Sequence, residues 1–131
     1  MKVIYFLSTL IIILFCSCST TENDCICTEE FRSYTVTVVD QNDQPVNSLN
    51  IEIKSKTSGN YFYIEQSTYL DEGKYVVMDD SHTQSFTVIP QTIIFSANKN
   101  SIHIEEEFVF STDACKCHIS KVSGPDTIRV H

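Results

Sequence analysis

A chain of 131 residues, 42% of them hydrophobic, is long enough to bury one core and too short for a second domain of similar size. Nine Lys and Arg stand against seventeen Asp and Glu, a formal net charge of −8. That balance disfavours nucleic acid and anionic headgroups as partners, because both are held through dense cationic surface.

In chain order the first element is Lys2 followed by the apolar run "VIYFLSTLIIILF" at residues 3–15. Its 13 residues fit the apolar stretch of a secretory signal peptide and fall short of the ~20 a helix needs to cross a bilayer. The run ends in "FCSC", which resembles the signals of bacterial lipoproteins, where cleavage falls just before a cysteine carrying diacylglycerol. The resemblance implies lipidation at Cys18, since Ser17 before it is small whereas Phe15 before Cys16 does not suit the cleavage position; an ordinary cleaved signal is the alternative. The expected organisation is a signal peptide over 1–17, a lipidated Cys18 with a polar tether over 18–30, and a β domain over 31–131. Buried acyl CH₂ groups at about 0.8 kcal/mol each hold a protein with two or three chains on a membrane. Glu22 and Asp24 resemble the acidic export signals of Gram-negative lipoproteins, so the expected location is the outer membrane or cell surface of such a bacterium.

Beyond the tether, strand patterns alternate with turn signals and nothing reads as a long helix. "SYTVTVVD" places Tyr34, Val36 and Val38 on one face before "DQNDQP" breaks it, and "LNIEIK" turns Leu49, Ile51 and Ile53 inward. "YFYIEQ", "KYVVMD", "SFTVI" and "TIIFSA" read as further strands, with "TSGN" and "LDEG" as turns and Pro90 as a break. "NKNS" predicts a hairpin turn into "IHIEEEFVF", where Glu106 falls on the face of Ile102, Ile104, Phe108 and Phe110; a bulge near Glu106 is the preferred explanation, and a strand passing an exposed edge there is the alternative. "CHISKVSGPDTIRV" offers two short strands around Ser-Gly-Pro. Seven to eight short strands at this spacing predict an all-β antiparallel sandwich.

The stretch "TVTVVDQNDQPVNSLNIEIKSKTSG", with "GKYVV" at residues 73–77, resembles the carboxypeptidase-regulatory-like or transthyretin-like family and implies a small Ig-like sandwich. Hydroxyisourate hydrolases of that fold end in Tyr-Arg-Gly-Ser and this chain ends "TIRVH", so their activity is not implied. "STDACKCHISKVSGPDTI" is similar to the C-terminal segment of short secreted lipoproteins of unassigned function.

Cys25 and Cys27 in "CICT" are answered by Cys115 and Cys117 in "CKCH". Residues two apart in a strand share a face, so each pair presents two thiols, and two adjacent segments bring facing Cα atoms to about 4.5–5.5 Å, within disulfide range. Disulfides are the expected state in an oxidising compartment. Antiparallel pairing, Cys25–Cys117 with Cys27–Cys115, is preferred because antiparallel pairs are commoner; parallel pairing and nearest-neighbour bonds remain open. A tetrathiolate zinc site with His118 as a spare ligand and a redox centre are the alternatives.

"DDSH" at residues 79–82 gathers two carboxylates and an imidazole that suit a divalent metal, although the same residues are ordinary turn formers. "EEE" at residues 105–107 reads as a solvated strand face. Tyr61, Tyr63, Tyr69 and Tyr75 read as half-buried strand packing, with a stacking surface for sugars or protein as the alternative. No Ser-His-Asp, His-Glu-x-x-His or glycine-rich phosphate motif is present, so the expectation is a non-catalytic module with no catalytic residues, metal or cofactor. Its expected role is that of a membrane-anchored binding or accessory protein for a glycan or protein ligand; the alternative is a structural spacer or anchored subunit of an envelope complex.

Changing Cys18→Ser is expected to release the protein from the membrane fraction while Cys16→Ser leaves it bound. Fractionation and immunoblotting check this, and equal retention of both variants would remove the assignment of Cys18.

Overall fold

A computed structural model describes residues 25–67 and 70–130; Cys18, the residues 1–17 expected to form a signal peptide, and Tyr69 lie outside the described residues. The fold is an all-β sandwich of two sheets. β1 (Ser33–Val39) is the centre of a three-stranded sheet, flanked by β4 (Lys74–Asp79) and β8 (Thr127–Arg129). The other sheet runs β3 (Tyr61–Phe62), β2 (Asn50–Ser55), β5 (Gln91–Lys99), β6 (Ile102–Thr112) and β7 (Ile119–Ser123). Pairing is antiparallel throughout except between β1 and β8, which run parallel with Val38 opposite Ile128.

The inward residues of β1, β2 and β6 are those the alternation predicts. Val36, Val38, Val77 and Ile128 from the first sheet join Ile53, Ile93, Phe95, Ala97, Ile104, Phe108, Phe110 and Ile119 from the second in one core. Burying a large apolar side chain contributes about 1.5–3 kcal/mol, so these positions dominate the driving force. Aromatic rings run through the core as a chain: Phe95 to Phe108 (6.0 Å), Phe108 to Phe110 (6.5 Å), Phe110 to Phe86 (6.3 Å) and Phe86 to Phe62 (5.6 Å). The buried Tyr75 hydroxyl donates to the Val46 carbonyl (2.6 Å) and accepts from the Leu49 amide (3.3 Å), which ties the long β1–β2 connection onto β4.

Three expectations fail, each for an identifiable reason. "YFYIEQ" gives only the two ladder residues of β3. The chain then leaves for the other sheet, where the Gln66 amide bonds both the N–H (2.8 Å) and the C=O (3.0 Å) of Val76 and occupies the outer edge of β4. "SFTVI" is not a strand: a 3₁₀ helix over Asp80–Ser85 follows β4, and residues 86–90 carry the chain between sheets with Phe86 buried and Val88 and Ile89 exposed. The Thr87 hydroxyl accepts from the Ile89 amide there, a local turn bond that competes with a ladder.

The bulge expected near Glu106 is also misplaced. β5 and β6 stay in register through Phe95↔Glu106, and the irregularity lies between Val109 and Phe110 where β6 meets β7. Glu106 therefore does share the inner face, half-buried. It is tolerated because it borders an opening of about 400 Å³ that Arg129 also lines.

β7 and β8 belong to different sheets, and the crossing between them turns at Gly124, whose φ is +128°. A Cβ at this position would lie 2.4 Å from Cδ1 of the buried Phe108 ring. Gly124→Ala is expected to cost about 2–4 kcal/mol through overpacking and backbone strain together. Gly59→Ala, at φ +73° with nothing within 4 Å of the added atom, should cost about 1 kcal/mol. Urea unfolding of the two variants checks the order.

Candidate functional site

Two regions of the sandwich gather chemistry, and the 3₁₀ helix joins them. The first is the corner where the described chain begins. Cys25 is bonded to Cys115 and Cys27 to Cys117, with Cα separations of 5.6 and 5.3 Å. The pairing is the parallel one, which corrects the antiparallel preference. Neither segment is a strand: Lys116 takes a left-handed φ of 55°, and the Asp113 carboxylate accepts from the Cys117 (3.1 Å) and His118 (3.2 Å) amides, so the "CKCH" segment is a turn to which ladder statistics do not apply. Those amides, Cys117 first, hold the Asp113 carboxyl below the ordinary carboxylate range. A bridge spanning 90 residues is worth about 4.5 kcal/mol in the chain-entropy account, and the second bridge closes little further loop.

Beside the bridges lies a hydrogen-bonded chain with no counterpart in any linear motif. Asp80 Oδ2 accepts from His118 Nδ1 (2.7 Å), and His118 Nε2 lies 2.8 Å from the Thr28 hydroxyl. An ionised carboxylate only accepts, so Nδ1 carries the proton and the Thr28 hydroxyl donates to Nε2 when the ring is neutral. Asp80 also accepts from the Arg32 amide (2.8 Å) and the Ile119 amide (2.7 Å). Its side chain is only 7% exposed, and that of His118 10%. Burial pushes the Asp80 carboxyl up, but the bonds from His118, Ile119 and Arg32 outweigh it and hold the group below its usual value.

Hydroxyl, imidazole and carboxylate in this order resemble a hydrolytic triad in geometry. The neighbouring Cys117 and His118 amides donate to the Asp113 carboxylate. The arrangement is suited to holding residues 28, 32, 80 and 118 together.

The "DDSH" carboxylates part company. Asp79 caps the 3₁₀ helix and bonds the Ser81 hydroxyl and His82 Nδ1 (3.2 Å), whereas Asp80 points to His118. In the "EEE" run, Glu107 pairs with Lys56 (2.5 Å) while Glu106 lies on the opposite face, so the three carboxylates do not converge. Among the described residues, Asp113, Cys115 and Cys117 bring ligand-type atoms within 4.8 Å of one another, but both sulfurs are consumed in disulfides.

The second region is an open cleft of about 660 Å³ at the β3 edge. Tyr61 is 54% and Tyr63 89% exposed, which departs from the packing expected of them, while Tyr75 fulfils it. Phe62 between them is stacked on Phe86 beneath, so alternation aims both tyrosines outward. His82 closes one side, edge-on to Phe62 at 5.6 Å, and Ser55, Asn60, Ser85 and Gln91 complete the wall.

Comparison with protein-family models, curated proteins and solved structures gives no match for this chain.

Asp80→Asn is expected to destabilise the fold by about 2–3 kcal/mol at neutral pH, the loss of bonds to a buried charge. The folded-state carboxyl titrates below its unfolded value of ~3.9, so its contribution is present above that pH and fades as pH falls through the lower folded value. Urea titrations should therefore show the gap between the two proteins closing under acid conditions; a gap independent of pH would show that the charge on Asp80 is immaterial.

Proposed function

We propose that this chain is a membrane-anchored cell-envelope lipoprotein whose sandwich serves as a non-catalytic binding or accessory module, with the cleft at Tyr61 and Tyr63 as its ligand site. The observation that carries the reading is the exposure of two tyrosines, either side of a half-buried Phe62, over an open cleft in a protein whose phenylalanines 86, 95, 108 and 110 are fully buried. Large rigid aromatic surface left in water at a concave site is the usual mark of ligand contact.

The tether is supported by the lipoprotein-like "FCSC" signal and by the corner at Cys25 and Cys27. Load entering from the N-terminal side reaches Cys115 and Cys117 covalently before it reaches the β1 ladder, which suits a domain held by that end. The resemblance of residues 35–59 and 73–77 to transthyretin-like modules points the same way, toward a rigid presenter of loops and edges.

A structural spacer or anchored subunit is the second reading, favoured by exposed Val88 (60%), Ile89 (71%) and Val122 (54%), apolar side chains that a neighbouring protein would cover. Affinity purification of the lipidated full chain from solubilised envelopes separates the two. The binding-module reading expects no stoichiometric bacterial partner. A partner recovered at one to one, and lost on Ile89→Asp, would replace it with the subunit reading.

A further inference from the structure

The lining of the cleft also specifies a ligand class, an inference that rests on the cleft being the ligand site. In a chain with 26 charged side chains among Lys, Arg, Asp and Glu, none of those four residue types lines it. The polar groups are hydroxyls, amides and one imidazole, from Ser55, Ser58, Asn60, Ser85, Gln91 and His82. Among the described residues, the Asn60 side-chain amide, the Ser85 hydroxyl and His82 Nε2 have no hydrogen-bond partner; His82 is engaged only through Nδ1, with Asp79 and Ser81. The phenol hydroxyls of Tyr61 and Tyr63 are likewise unengaged.

Such a wall can both donate and accept but offers no charge to pair. An anionic ligand would meet no cation here and would approach a protein of net charge −8. A protein partner needs roughly 800 Å² of complementary surface on each side, commonly with Arg among its anchors. A neutral sugar needs less: an aromatic plane for the C–H face of its ring, and mixed donors and acceptors for hydroxyls that themselves donate and accept. Tyr61 and Tyr63 supply planes two residues apart on one side of an extended segment, about 6.6 Å along the chain, a spacing comparable to one hexose unit.

Pre-organisation is the remaining requirement. Phe62 under the tyrosines stacks on the buried Phe86, and His82 and Ser85 sit on the 3₁₀ helix that Asp80 fixes to β7 and to the residue before β1. The walls are therefore in place before a ligand arrives, which limits the ordering cost of binding. We infer that the cleft binds a neutral oligosaccharide, stacked on Tyr63 and Tyr61 and hydrogen-bonded by Asn60, His82 and Ser85.

The test uses the full chain carrying Cys18→Ser, which keeps alkyl-glycoside detergents out of the assay. The probes are hexasaccharides of neutral glucose, mannose and xylose series, with oligogalacturonate and a heparin hexasaccharide as charged counterparts. Saturation-transfer NMR and tyrosine fluorescence read binding, the latter undisturbed because the chain has no Trp. Saturable binding of at least one neutral series is expected, weakened about tenfold or more by Tyr63→Ala, the upper range for a lost aromatic stack, and changed less than about threefold by Tyr63→Phe or by Val122→Ala outside the cleft. Tyr63 is almost fully exposed, so an unchanged melting temperature should accompany the loss. Binding of the charged probes alone, or of no saccharide, would overturn the inference. No saccharide binding and no stoichiometric envelope partner would remove the sugar and leave the module reading; such a partner would remove both.

Discussion

One buried carboxylate organises the end of the sandwich where its chemistry is gathered. Asp80 accepts from the Arg32 amide just before β1, from the Ile119 amide that opens β7, and from the ring of His118. The Asp80 amide in turn donates to the Arg32 carbonyl (3.0 Å). Two segments distant in sequence, at Arg32 and at His118–Ile119, thus converge on one side chain, and each would leave a polar group unsatisfied without it. Removing water from an ionised carboxylate is costly, and this one is stable only because its three donors approach together. The 3₁₀ helix has little intrinsic stability at six residues, so its position follows from the bonds at Asp80 on one side and the insertion of Phe86 on the other.

From that constraint the rest of the corner follows. With His118 oriented by Asp80, its second nitrogen meets Thr28, and the chain leading back to Cys27 and Cys25 is laid beside the turn that carries Cys115 and Cys117. Both bridges span 90 residues, so the two segments keep the same direction. Covalent and hydrogen-bonded links here reinforce one another: the disulfides keep residues 25–28 near the sandwich, and the relay sets where they lie.

The cleft arises from a different requirement, the protection of sheet edges. A long exposed edge strand invites pairing with another chain. β3 stops after two residues, and the chain crosses to the other sheet, where the Gln66 amide satisfies both backbone groups of Val76 as a neighbouring strand would. The crossing leaves Tyr61 and Tyr63 beside the 3₁₀ helix with no strand outside them. A device that blunts one edge so creates the recess at the other, and the aromatic chain from Phe95 to Phe62 gives it a solid floor.

The amino-acid sequence by itself determined the all-β class and the inward residues of β1, β2 and β6, and it favoured disulfides between the two cysteine pairs over nearest-neighbour bonds or a metal site. Class and inward faces depend on local alternation and turn chemistry, which act within a few residues. Only the tertiary structure decided the direction of the disulfides, because the left-handed turn at Lys116 and its hold on Asp113 replace the strand that pairing statistics assume. It also decided which member of "DDSH" meets which histidine, since Asp79 and Asp80 differ only in the partners that fold up around them. A histidine directly after Cys117 was the one trace of the relay in the sequence; its partners lie 38 and 90 residues away. Tyr61 and Tyr75 have the same composition and the same strand context, and what separates an exposed ring from a buried one is whether another segment crosses over it, a property no single segment encodes.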